Sequence, residues 1–194
     1  KTYGTLPSPK RTGYTFAGWY DKNEYGTKKN SSSTVEIAGN HTLYAKWKQE
    51  IFTVTFNACG GTVAIPNVAV TNGLTFRNFP TPYKEGYHFI GWYTSSTSGT
   101  KVTSISVTDT LYAHWEGNTY QVKFEPLGGT FSSGTSGVKS VVFGETYGTM
   151  PTVTKYGYTL SGWYTKETSG SKRTASTEVS QAEDHTLYAR WKGV

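Results

Sequence analysis

The side chains best suited to chemistry in this chain recur at fixed places. Lys28-Lys29, Lys101 and Lys172-Arg173 each follow a Gly-Thr or Gly-Ser step, making a row of cations able to attract anions. Two further sets join aromatic rings to a cation, Trp19 with Tyr44 and Lys46, and Trp163 with Tyr188 and Arg190. Trp92 and Tyr112 hold the middle set, where His114 takes the place of the cation. Exposed rings beside a cation stack on sugars or on a partner's surface. The preferred reading of the same residues is structural: tryptophans burying about 150–250 Å² each compensate for few aliphatics, and the cations sit in solvated loops.

Nothing converges on catalysis. His41 and His185 share one position, where the middle of the chain has Asp109, and His88 and His114 have no counterparts. There is no His-x₃-His, Cys pair or Asp-rich calcium loop, so no metal or other cofactor is expected. No Gly-x-Ser-x-Gly elbow is present, and Gly60-Gly61 lacks the Lys-Ser/Thr of a phosphate loop. The chain reads as non-enzymatic.

The elements that position these residues are copies of one unit. Gly13-Tyr-Thr-Phe-Ala-Gly-Trp-Tyr20 returns at Gly86–Tyr93 and Gly157–Tyr164, and Leu43-Tyr-Ala-Lys-Trp47 returns at Leu111–Trp115 and Leu187–Trp191. Residues 1–48 align with 145–192 without a gap at 24 identical positions. The middle copy lacks five residues between Lys101 and Leu111, marking a length-tolerant loop. The spacing predicts a truncated first repeat at 1–48 lacking its N-terminal strands, a second repeat at 52–116 and a third at 120–192. Linkers of about four residues, Lys48–Ile51 and Glu116–Thr119, would restrict bending. The truncated repeat would expose a sheet edge open to self-association, and the chain is expected to extend upstream.

Phe52-Thr-Val-Thr-Phe56 and Tyr120-Gln-Val-Lys-Phe124 alternate as half-buried strands, each leading into a Gly-Gly turn. Further strands are expected near Val68–Arg77 and Val138–Tyr147, then an irregular segment or helical turn at Thr81–Glu85. In Gly86–Tyr93, period two places Tyr87, Phe89, Gly91 and Tyr93 on one face and His88, Ile90 and Trp92 on the other. The chain is 35% hydrophobic and 15% aromatic, with 22 glycines, and no segment has a long 3.6-residue apolar period. This is the composition of a mainly β chain with little helix. No apolar run approaches the roughly 20 residues of a membrane span. The net charge of +6 is scattered rather than gathered into a nucleic-acid tail. The lone cysteine, Cys59, is matched by Leu127 in the third repeat and reads as a turn residue.

The pattern F-x-V-x-F-x-x-x-G-G-T, then P, then G-Y-x-F-x-G-W-Y, then L-Y-A-x-W resembles the Listeria-Bacteroides repeat family, which includes the internalin B-repeat. The resemblance covers the whole chain and implies tandem, ubiquitin-like β-grasp repeats on a bacterial cell-surface or secreted protein. It carries no catalytic residues over. The expected function is therefore a structural stalk or adhesin segment that projects other domains, with weak multivalent contacts to host or matrix glycans or proteins. The alternative is a dedicated carbohydrate-binding module using exposed Trp and Tyr.

Overall fold

The computed structural model describes residues 1–194 and contains fifteen strands and no helix. The first repeat supplies β1 (Tyr14–Tyr20), β2 (Lys28–Lys29) and β3 (Tyr44–Gln49). The second supplies β4 (Ile51–Asn57), β5 (Asn67–Thr71), β6 (Tyr87–Tyr93), β7 (Lys101–Val102) and β8 (Asp109–Gly117). The third supplies β9 (Thr119–Glu125), β10 (Thr130–Phe131), β11 (Val138–Val142), β12 (Val153–Thr154), β13 (Tyr158–Tyr164), β14 (Lys172–Arg173) and β15 (His185–Gly193).

The third repeat shows how the sequence pattern becomes a sheet. Its main sheet has five strands in the order β11-β9-β15-β13-β14, with β9 and β15 parallel at the centre and the other pairs antiparallel. That is the strand order of a β-grasp sheet. The crossover that joins two parallel strands is commonly a helix; here the chain between β9 and β15 crosses as strands and loops. The second repeat has the same order, β5-β4-β8-β6-β7, with β4 and β8 parallel, and the first forms β2-β1-β3.

The chain packs as two compact units, one of residues 1–57, 63–80 and 92–112, the other of residues 58–62, 81–91 and 113–194. In the first unit the alternation in β4 buries Phe52, Val54 and Phe56, and Phe56 meets Trp92 at a ring separation of 4.9 Å and Phe79 at 5.8 Å. In the second, Val122 and Phe124 of β9 join Val141, Tyr147, Val153, Trp163, Val179, Leu187 and Ala189 in one buried cluster. Aromatic rings do much of the filling, as the composition requires.

Two expectations are corrected. The second strand of each complete repeat is shorter than its apolar pattern suggests, because Asn72-Gly73 and Phe143-Gly144 form turns. The Gly φ values there are +78° and +82°, and Leu74 N donates to Thr71 O as Glu145 N does to Val142 O. Residues beyond the turn contribute only isolated bridges, such as Phe76 with Ile105. The Thr81–Glu85 segment is irregular, with Tyr83 bridged to Thr62.

The second correction concerns the faces of the Gly-Trp-Tyr strands. A register shift falls between Phe16 and Gly18 in β1 and between Leu160 and Gly162 in β13. The extra residue turns over everything after it. Phe16 and Trp19 therefore share the inner face, with ring centroids 5.5 Å apart, and Phe16 also meets Trp47 at 5.5 Å. Strict period two assigned the corresponding Phe89 and Trp92 to opposite faces.

The Gly-Gly turns have a division of labour. Cys59 and Gly60, like Leu127 and Gly128, take positive φ, the two-residue signature of a type I′ turn. The second glycine serves packing: a Cβ on Gly61 would lie 2.7 Å from the Trp115 ring, and Gly129 is as close to Trp191.

Candidate functional site

Trp92 and Trp163 are core residues, each 2% exposed. Their Nε1–H groups donate to Pro80 O at 2.9 Å and Pro151 O at 3.3 Å, and half-buried Trp19 donates to Pro7 O at 2.7 Å. The exposed stripe, the alternative to the preferred structural reading of Trp19, Tyr44 and Lys46 and of Trp163, Tyr188 and Arg190, does not form, because the bulge has turned each Trp inward. A different residue takes its place. Tyr20 pairs directly with Tyr44, and Tyr164 with Tyr188, on the outer face of each sheet. Lys46 Nζ lies 4.3 Å over the Tyr20 ring and the Arg190 guanidinium 4.0 Å over Tyr164. Arg190 also donates to the carbonyls of Lys166, Glu167 and Ser169, so it pins its neighbouring loop.

The cation row splits by the same alternation. Lys28 pairs with Tyr20, Lys101 with Tyr93 and Lys172 with Tyr164, adding an exposed cation to each outer face. The stems of Lys28 and Lys172 cross Gly18 and Gly162, where a side chain would block them. Lys29 and Arg173 point the other way, opposite Trp19 and Trp163. Lys29 pairs with Asp21 at 3.3 Å and Glu36 at 3.7 Å. The Thr27 amide, then Lys29, holds the Asp21 carboxyl below its ordinary value.

The recurring histidine is structural. Tyr147, 1% exposed, donates its hydroxyl to His185 Nε2 at 2.7 Å, and His185 Nδ1 lies 3.0 Å from Glu183 O. Burial raises the Tyr147 pKa. Tyr3 and His41 repeat the pair at 2.8 Å. The second repeat has Phe76 and Asp109 at these positions: with no imidazole to receive it, the buried hydroxyl is absent too.

Sequence reasoning missed the junctions between repeats. In the first, Glu50 N donates to Gly13 O and Asn72 N donates to Glu50 O, at 2.9 and 2.8 Å. In the second, Asn118 N donates to Gly86 O and Phe143 N to Asn118 O, at 2.8 and 2.9 Å. One linker residue thus ties the Gly-Tyr corner of one repeat to the turn that follows the second strand of the next, β5 or β11. Side chains complete each clamp differently. Glu50 accepts from Thr15 and from Asn72 Nδ2, the latter at 2.9 Å, and Gln49 donates to Thr71 at 2.5 Å. These bonds hold the Glu50 carboxyl below its ordinary value. At the second junction Phe143 packs edge-on against Tyr87, centroids 5.2 Å apart. His88 lies 3.2 Å from Asn118 and 3.1 Å from Glu116. The Gly-Tyr shared by all three repeats was the available signal; its partners, Asn72 and Phe143, share no chemistry.

Residues 1–46, 52–114 and 120–190 each match the Listeria-Bacteroides repeat domain. The chain belongs to the Listeria-Bacteroides repeat family. It is 33% identical over 187 residues to a provisionally named membrane protein of Evansella cellulosilytica, an alignment covering 94% of this chain and 27% of that protein. A provisionally named Gly-rich membrane protein of the same organism is 33% identical over 82% of the chain and 18% of its own length. Internalin H of Listeria monocytogenes is 37% identical over 94 residues, 48% of this chain and 17% of that protein. The chain thus spans little more than a quarter, or less, of these relatives.

Proposed function

We propose that this chain is a non-catalytic spacer of a bacterial cell-surface protein, holding the domains it joins at a set separation. The observation that carries this reading is the linker geometry. Each junction residue gives and receives a backbone hydrogen bond across the repeat boundary, so the linker has little freedom to swivel. The surface assignment draws on relatives named as membrane proteins and as an internalin. Backbone ¹⁵N relaxation tests the spacer: the account expects the repeats to share one tumbling tensor, and independent tumbling would reject it.

A second reading is favoured by the outer faces. Tyr164 and Tyr188, flanked by Lys172 and Arg190, offer two adjacent rings and an exposed cation for weak contacts with host or matrix glycans or surface proteins. Titration with immobilised glycans across a salt series is the test. Saturable binding lost in Tyr188→Ala at unchanged melting temperature supports it, and equal binding by both chains removes this face from consideration.

A further inference from the structure

The bulge that turns Trp163 inward leaves a bare glycine on the outer face of the third repeat, and two cations meet around it. A Cβ on Gly162 would lie 3.1 Å from Lys172 Nζ, so the ammonium of Lys172 rests over that glycine. Arg190 is the cross-strand partner of Gly162. Its guanidinium lies 4.0 Å over the Tyr164 ring and is fixed by the adjoining loop: Nε donates to Glu167 O, and Nη2 to the carbonyls of Lys166 and Ser169. Nη1, with two further N–H groups, has no protein acceptor. Neither cation has a carboxylate within 4 Å. The row across the sheet runs Lys172, Tyr164, Tyr188, Glu125, and its one acid, Glu125, already pairs with Lys123 at 2.5 Å. Like charges gathered without a counter-ion repel, and an arriving anion relieves that repulsion. Beside them, half-buried Tyr188 has no ring or cation stacked on it.

We propose that this face binds an acidic sugar, its carboxylate or sulfate held between Lys172 and Arg190 and its ring resting on Tyr188; the assignment rests on the glycan reading of the outer faces and names the ligand class. Two features set the pair apart from ordinary surface cations. Arg190 is already immobilised, so little side-chain freedom is lost when an anion arrives, and its free nitrogen and the Lys172 ammonium can serve two oxygens of one acid. The arrangement also recurs in the first repeat. Lys28 Nζ would lie 3.1 Å from a Cβ on Gly18, Gly18 pairs with Lys46, and Lys46 lies over Tyr20. Lys46 makes no comparable bonds to its loop, and the second repeat has His114 in place of the second cation, so the expected order of affinity is third, first, second. An acidic peptide fits less well, because β13 and β15 are interior strands with no free main-chain edge for it to pair with.

The test is an NMR titration of the ¹⁵N-labelled chain with three oligosaccharides: a heparin tetrasaccharide bearing sulfate and uronate, a hyaluronan tetrasaccharide bearing uronate alone, and neutral maltotetraose. Backbone amides and the Arg190 Nε–H report the site. The acidic sugars are expected to shift Tyr164, Lys172, Tyr188 and Arg190, and maltotetraose to leave them unmoved. Shifts with both acidic sugars make a carboxylate sufficient; shifts with heparin alone make sulfate the recognised group. Lys172→Gln, at an exposed position, should weaken acidic-sugar binding by about tenfold at unchanged melting temperature, and Lys172→Arg should retain it. Equal shifts with maltotetraose, equal shifts with tetraglutamate, or unchanged affinity in Lys172→Gln would overturn the proposal. Tyr188→Ala separates it from the glycan reading itself. If that variant loses every sugar while Lys172→Gln keeps them, the glycan face stands and the anion site fails; if no sugar shifts any of the four residues, both fail.

Discussion

The two junctions make the same backbone connection with opposite side-chain chemistry. At the first, Glu50, Thr15, Gln49, Thr71 and Asn72 form a polar, charge-bearing seam. At the second, Tyr87 and Phe143 form an aromatic contact that two glycines allow to close. The difference teaches that the main chain sets the connection and the side chains set which neighbours are compatible. Repeats can therefore diverge at the seam while keeping the linker tied.

The largest expected effect is within the repeat, and it sets the scale for the seams. Trp163→Ala should cost about 3–5 kcal/mol and melt the third repeat, because the ring is core and packs 4.9 Å from Phe124. Chemical denaturation followed by fluorescence measures this, and a stable, folded variant would restore the idea of a ligand-binding tryptophan. Next, Gly117→Ala should destabilise by about 1–3 kcal/mol through overpacking against Phe143, whereas Gly193→Ala should be near neutral. Equal melting temperatures for the two variants would break the comparison. Phe143→Ala should loosen the aromatic seam by about 1 kcal/mol, read as faster exchange at Asn118 with β9 and β15 unchanged.

The smallest effect distinguishes the seams by pH. Hydrogen bonds from Thr15 and Asn72 lower the Glu50 pKa in the folded chain, so this group contributes stability above the unfolded carboxyl value. That contribution fades as the pH falls through the lowered folded-state value. Exchange at Asn72 should quicken there, and Glu50→Gln should remove that dependence. An unchanged pH response in the variant would contradict the polar-seam account.

Much of the fold was legible because the repeated strands alternate. Phe52–Phe56 and Tyr120–Phe124 lie in β4 and β9, and their alternation gives the buried face directly. The Gly-Trp-Tyr strands were misread because a one-residue bulge leaves no mark in a short aromatic run, yet it reverses the faces of Trp19 and Trp163. The same shift leaves the outer face to Tyr20 and Tyr164, each with a cation over its ring, in place of the alternative Trp-centred stripe. The junctions were hidden for another reason: main-chain hydrogen bonds of Glu50 and Asn118 demand no particular side chain. Gly-Tyr recurs in all three repeats, but only its packing shows that Gly86 is kept bare by Phe143.

Residue-resolved hydrogen exchange at Glu50, Asn72, Asn118 and Phe143 tests the central claim most directly. The tied-linker account predicts protection at all four amides comparable to that of the neighbouring strands β4 and β9. Exchange at the rate of an unstructured linker would show that the repeats are joined by a free hinge and would contradict the account.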